Sequence, residues 1–372
     1  MARRPFRDDE LPAAACAKIA AMSRRRMVAL HVGLPKTGTT YLQERFVQHR
    51  AQLGERGVHY PRFGQEHGSG HHNLGFALRG MPALDADWGE LSAEQAVRRA
   101  LDERPDQHVL LSSEGLSALD ADAVATLRRA LGDCDVRVAV YLRRRSRLMR
   151  SSWQEAVKHG SPLGLREYVA TRVLESGARM LRFEQVLLGI AQAFGRDALR
   201  VVVYDHLVEG GEDLFAHFVG SILELDGFVA EPPAPRANAS IGAAELDVVR
   251  GVNQARLQRG ERPSIDDSGP LLRLLARDAA ARELVERVEL LRDARGEDVD
   301  LRVLDGEWLD RDRHVLELLG DAVLNPAGPH ELFRLDGAPT IVRALRPAEL
   351  HAAIPIEAFA ALADRAAADR AP

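Results

Sequence analysis

The chain has 372 residues, 46% of them hydrophobic and 28% charged, with a net charge of −5. That balance is ordinary for a globular protein and supplies no global positive field for nucleic acid. Two cysteines, Cys16 and Cys134, are too few for a disulfide framework, no apolar run reaches membrane-spanning length, and Asp8, Asp9 and Glu10 interrupt any signal-peptide pattern. The expectation is a cytoplasmic protein in a reducing compartment, with a short helix or disordered arm over residues 1–25.

Taken in order, the apolar run Met27 to Val32 reads as a buried strand. A glycine-bearing turn follows, Gly33 to Gly38, and Thr39, Thr40, Tyr41, Leu42 and Phe46 begin a helical pattern that runs to about Ala51. Residues 57–62 suggest a short strand, and the polar loop GQEHGSGHHNLGFAL enters a helix near Asn73. Ser92 is placed to cap a helix over 91–101, with Glu94 close behind. Residues 108–112 form a strand ending at Ser113 and Glu114, and a helix follows over 121–131. The strand 136–142 opens into a helix over 146–158, and Leu199 to Tyr204 is a fourth buried strand. Strands alternating with helices predict a parallel sheet covered on both faces, with all strand C-termini on one edge. That edge gathers Gly33 to Thr40, Glu114, Arg143 and Tyr204. The sheet unit is assigned to residues 26–260. Residues 261–372 are a mainly helical extension, charged and amphipathic over 271–295.

Strand, glycine turn and helix together make a phosphate cradle, because turn N–H groups and the helix N-terminus point at one anion. Gly33 and Gly38 have the spacing of GxxxxGK[ST], yet Thr39 stands where that motif has its lysine. The lysine here, Lys36, lies inside the loop, which suits one amine touching a bridging oxygen better than a triphosphate with a metal. The run PKTGTTY resembles the 5′-phosphosulfate-binding loop of the sulfotransferases, written there PKSGTTW.

A second anion site follows the strand that ends at Leu142. Where metal-using P-loop enzymes often have an Asp, this strand delivers Arg143, Arg144 and Arg145. Arg143 with Ser151, eight residues later, resembles the 3′-phosphate site of the same family, whereas Arg144, Arg145, Arg147 and Arg150 read as a solvated helix face. The resemblance, to bacterial sulfotransferases especially, spans about residues 27–255. It implies a P-loop-like α/β fold and 3′-phosphoadenosine 5′-phosphosulfate as donor, with no metal. It also implies donor contacts from Pro35, Lys36, Thr37, Gly38, Thr39, Thr40, Tyr41, Arg143, Ser151 and Tyr204. Tyr41 takes the place of an adenine-stacking Trp, Tyr204-Asp205 matches part of a YED-like strand end, and Arg236 with Asn238 to Ser240 stands in for a missing RKGxxG-like segment.

Sulfuryl transfer needs a cation for the departing phosphate oxygen, here Lys36, and a general base for the acceptor hydroxyl. Two candidates stand beside their ordinary readings: Glu114, against a capping or ion-paired carboxylate, and His72 (with His71), against surface imidazoles. The rivals are a P-loop kinase using ATP and Mg²⁺, a non-catalytic nucleotide-binding scaffold, and a nucleic-acid binder built on Arg143–Arg150. Sugar hydroxyl, lipid headgroup or glycolipid, phenol and peptide tyrosine all stay open as acceptors.

Overall fold

The computed structural model describes residues 25–65, 68–82, 88–175, 181–231, 241–335 and 341–369. The N-terminal arm and the Arg236 to Ser240 turn lie outside them. Strand β1 (Met27–His31) is buried at every position, its apolar run Met27–Leu30 as a sheet covered on both faces requires, and His31 at its end with it. Helix α1 (Thr39–Gln48) follows the glycine turn, and its chain continues as α2 (Arg50–Glu55). The single helix the sequence pattern predicts is broken at His49 (φ −99°, ψ 15°). Strand β2 is only Val58–His59, followed by α3 (His72–Leu78) and α4 (Ala93–Asp102). Ser92 caps α4 with Gln95 as the reciprocal partner, so Gln95 rather than Glu94 closes the capping box.

Strand β3 (His108–Ser112) leads through a short 3₁₀ turn, Glu114–Ala118, into α5 (Ala121–Leu131). Strand β4 (Asp135–Leu142) feeds α6 (Arg145–Lys158). After α7 (Leu165–Ala170) and α8 (Phe183–Phe194) comes β5 (Leu199–Val203), then α9 (Tyr204–Glu209) and α10 (Leu214–His217). Tyr204 thus opens a helix instead of closing a strand.

The five strands are all parallel, in the order β2-β3-β1-β4-β5. Strand β1 sits in the middle: the chain first moves to one side of it, then crosses to the other at β4. That reversal opens a crevice outside the strand C-termini, between the ends of β1 and its neighbours. Alternation along β1 splits the core. Val28 and Leu30 pack with Leu127 of α5 and Leu187 of α8, while Ala29 packs with Leu42, Phe46 and Phe215 of α1 and α10. Helices therefore cover both faces, as the sequence pattern predicts.

A third core lies beside the sheet. It joins α11 (Ala243–Gln258), α12 (Ile265–Arg277), α13 (Ala279–Arg295) and, after strand β6 (Glu297–Asp300), helix α14 (Arg302–Gly306), whereas α15 (Leu309–Leu319) packs on the sheet through Val315, Leu316 and Leu319. Strand β7 (Ile341–Ala344) pairs antiparallel with β6, and α16 (Pro347–Ala353) and α17 (Ile356–Ala368) complete the group. Asp278 divides the charged stretch 271–295 between two helices by capping α13, accepting from Ala281 N at 2.8 Å. Leu148, Met149 and Trp153 of α6 belong to this third core, so α6 links the sheet edge to the helical half. Among the described residues no helix is long and apolar enough to cross a membrane.

Candidate anion-binding site

The loop after β1 is fixed before any side chain acts. Its backbone is stapled to β4: Leu34 N donates to Tyr141 O at 3.0 Å and Tyr141 N donates to Gly33 O at 2.7 Å. Thr37 and Thr39 are buried, and both hydroxyls donate inward to Leu34 O, at 2.5 and 3.4 Å. Gly38 has φ 79°, and a Cβ there would lie 2.5 Å from Leu214 Cδ2 and 3.3 Å from the Tyr204 ring, so only glycine fits. Lys36 is also left-handed, at φ 66°, which costs a non-glycine residue about 1–2 kcal/mol. The strained residue carries the one amine of the loop.

Helix α1 then starts with no side-chain cap and no acidic residue in its first turn. Its first N–H groups and positive dipole end face outward beside the exposed Thr40 hydroxyl. These are the donors a phosphate group takes.

Arg143 leaves the end of β4 and donates from Nη1 to Lys36 O at 2.7 Å, so the strand-end arginine and the loop crown are one unit. Its guanidinium stacks over Tyr204 at 5.4 Å and stands 3.9 Å from Asp205, while its Nε is buried with no hydrogen-bond partner. Asp205 is the organiser here. It accepts from Arg144 N at 2.6 Å and from Arg147 at 3.0 Å. The Tyr41 hydroxyl donates to Asp213, which caps α10. Arg143 thereby joins the Lys36 carbonyl to the Tyr204 ring, which also lies close against Gly38.

No family model matches the chain, and no curated protein matches it. Among solved structures it is similar to the crystal structure of a sulfotransferase from Alicyclobacillus acidocaldarius. The match has 15% sequence identity and a TM-score of 0.38, over 64% of this chain and 96% of that one.

Sequence reasoning missed Glu155. Its carboxylate lies 3.3 Å from Lys36 Nζ. Partial burial pulls the Glu155 pKa up, but Lys36, Lys158 and the His159 bond outweigh it and hold the carboxyl below its usual range. Ser151 lies four residues earlier on α6, hence on the same face. That i,i+4 relation to a predicted site residue was the available signal.

The two base candidates part company. Glu114 opens the 3₁₀ turn after β3 and packs on the loop: its Cα and Cγ would lie 3.6 and 3.7 Å from a Cβ on Gly33. His72 is half-buried at the start of α3. Its neighbour His71 is a core residue, not a surface imidazole. Ser112 N donates to His71 Nδ1 at 3.1 Å, leaving Nε2–H to Pro61 O at 3.2 Å, and burial pushes its pKa down to about 3. His31, beneath the loop, is also driven to about 3 by burial, with Nδ1 2.8 Å from Ser112 Oγ.

The solvated-face reading of the arginine cluster needs correction. Arg150 is exposed, but Arg144 and Arg145 are 3% and 0% exposed. Arg144 pairs with Asp305 at 2.9 Å, and Arg145 pairs with Asp312 at 2.8 Å while lying over Phe183 and Trp308. Their partners arrive some 160 residues later in the chain, beyond any local pattern. Arg147 is shared between Asp205 and Glu209.

Proposed function

We propose that the chain is a sulfotransferase that moves a sulfuryl group from 3′-phosphoadenosine 5′-phosphosulfate to an acceptor hydroxyl. The observation that carries this reading is the position of Lys36. It stands at the crown of an uncapped, positive helix end, tied by its own carbonyl to the strand-end Arg143. One amine and a ring of N–H donors suit a phosphate ester, and Arg143 with Ser151 suits a second phosphate on the same nucleotide.

The roles follow from placement. The first-turn N–H groups of α1 and the Thr40 hydroxyl hold the 5′-phosphate, and Tyr41 and Tyr204 offer ring faces to the base. The donor supplies the sulfuryl group: its S–O bond to phosphate breaks, with the electron pair staying on the phosphate oxygen, as the bond to the acceptor oxygen forms. Lys36 neutralises that oxygen. Glu114, on the loop's flank, takes the acceptor proton, with His72 as the second candidate. Pro35 and Thr37 shape the loop around these groups.

Calorimetric titration with adenosine 3′,5′-bisphosphate, in the presence of a chelator, tests the reading. Wild type should bind, and Arg143→Ala should weaken binding by about 1.5–3 kcal/mol, the weight of a charged hydrogen bond. No binding of the bisphosphate, with Mg²⁺-dependent binding of ATP instead, overturns it in favour of a kinase.

A further inference from the structure

A cavity of about 640 Å³ opens beside the loop crown. Its walls are apolar: Leu34 and Pro35 from the loop, Leu148 from α6, and Phe183 and Val186 from α8. Ser117, whose hydroxyl donates to the backbone carbonyl of Glu114 at 2.8 Å, also lines it. Two cations, Arg182 and Arg172, and the amide of Gln185 interrupt the apolar lining. The Arg182 Nε is buried without a hydrogen-bond partner. Arg172 stacks on Tyr168 at 5.1 Å. Neither guanidinium has a carboxylate partner among the described residues.

We propose that this cavity receives the acceptor, and that the acceptor is an alcohol with an apolar body and a carboxylate that pairs with Arg182 and Arg172. The inference rests on the sulfotransferase reading for its word "acceptor", but the binding site stands on its own geometry. Mostly apolar walls disfavour a polyhydroxylated sugar, which would bring more hydroxyls than Ser117, Gln185 and the two arginines can partner. A buried guanidinium nitrogen with an open donor favours an anion over a neutral end, and the planar fork suits a carboxylate. Pro35, the residue before Lys36, forms part of the wall, so the cavity abuts the loop that carries the amine.

The test uses ω-hydroxylaurate and its methyl ester, titrated calorimetrically without donor, with adenosine 3′,5′-bisphosphate as a separate arm. The acid should bind wild type roughly 10- to 100-fold more tightly than the ester. Arg182→Gln should abolish that preference while leaving bisphosphate binding intact, which also shows that the variant is folded. Should Arg182→Gln not fold, Arg172→Gln carries the same comparison. Equal affinity for acid and ester, or binding of neither, overturns the proposal even where the bisphosphate binds. Preference for the acid without bisphosphate binding upholds the cavity and sinks the donor reading instead.

Discussion

Helices α1 and α6 leave neighbouring strands of one sheet edge, and their first turns are filled in opposite ways. The start of α1 has a glycine cap, no carboxylate in its first turn, and above it an amine that Glu155 of α6 approaches from the side. The start of α6 is closed by protein: Asp205 accepts from Arg144 N at 2.6 Å, and Asp305 accepts from Ser146 N at 2.9 Å. Both ends have the same dipole and the same orphan N–H groups. What separates them is whether the chain supplies its own anion. An end sealed by two aspartates is structural, and an end left open beside a strained lysine is the place for a ligand's anion.

The sealed end should be the costlier to break. Asp305→Ala removes the partner of the buried Arg144 and uncaps Ser146 N in one step. Loss of about 3–5 kcal/mol of stability is expected, because an unpaired charge stays behind in the core. Urea unfolding measures it. A loss under about 1 kcal/mol would mean that water replaces the carboxylate, and the distinction between the two ends would fail.

At the open end the same kind of truncation should spare the fold and remove function. Lys36→Ala is expected to lower turnover by about 10²–10³, the range for removing one preorganised stabilising group, with an unchanged unfolding midpoint. A destabilised but active Lys36→Ala would reverse the contrast.

This contrast also explains what the sequence discloses. The open end is built from consecutive residues, Gly33 to Tyr41, so its glycines, lysine and threonines sit in one legible string. The strands are legible too, because burial on both faces demands unbroken apolar runs such as Val138 to Leu142. The sealed end depends on Asp305 and Asp312, supplied by helices after β6, and no periodicity near Arg144 announces them. Glu155 falls between: it is local to α6, but its meaning comes from Lys36, more than a hundred residues away.

Beneath the open end, the buried histidines give the comparison a pH axis. His31 and His71 titrate near pH 3 in the folded chain, against about 6.5 when unfolded. Above about 6.5 both states are neutral and these groups leave stability unchanged. As pH falls from there towards 3, the unfolded chain binds protons that the folded one refuses, so stability drops. The expected slope approaches about 1.4 kcal/mol per pH unit for each histidine. Unfolding midpoints between pH 7 and 4, with His31→Gln as comparison, measure it. Flat stability across that window would contradict the burial of both rings.

The smallest effect is the most informative about the site. Lys36 and Glu155 are 27% and 35% exposed, so their pair contributes only about 0–1 kcal/mol to the fold. Glu155→Gln should therefore leave unfolding nearly unchanged. Its effect belongs to the ligand: the carboxylate stands where it repels an incoming anion and competes for Lys36. Removing it should tighten adenosine 3′,5′-bisphosphate binding by about two- to fivefold, the scale of one solvent-screened charge contact. High salt should shrink that gain, since the interaction is partly exposed. Weaker binding in Glu155→Gln would mean that the carboxylate positions Lys36 for the ligand. Unchanged binding with turnover reduced about 10²-fold or more would transfer the proton-accepting role from Glu114 to Glu155, and α6 would then supply both the second phosphate contact and the base.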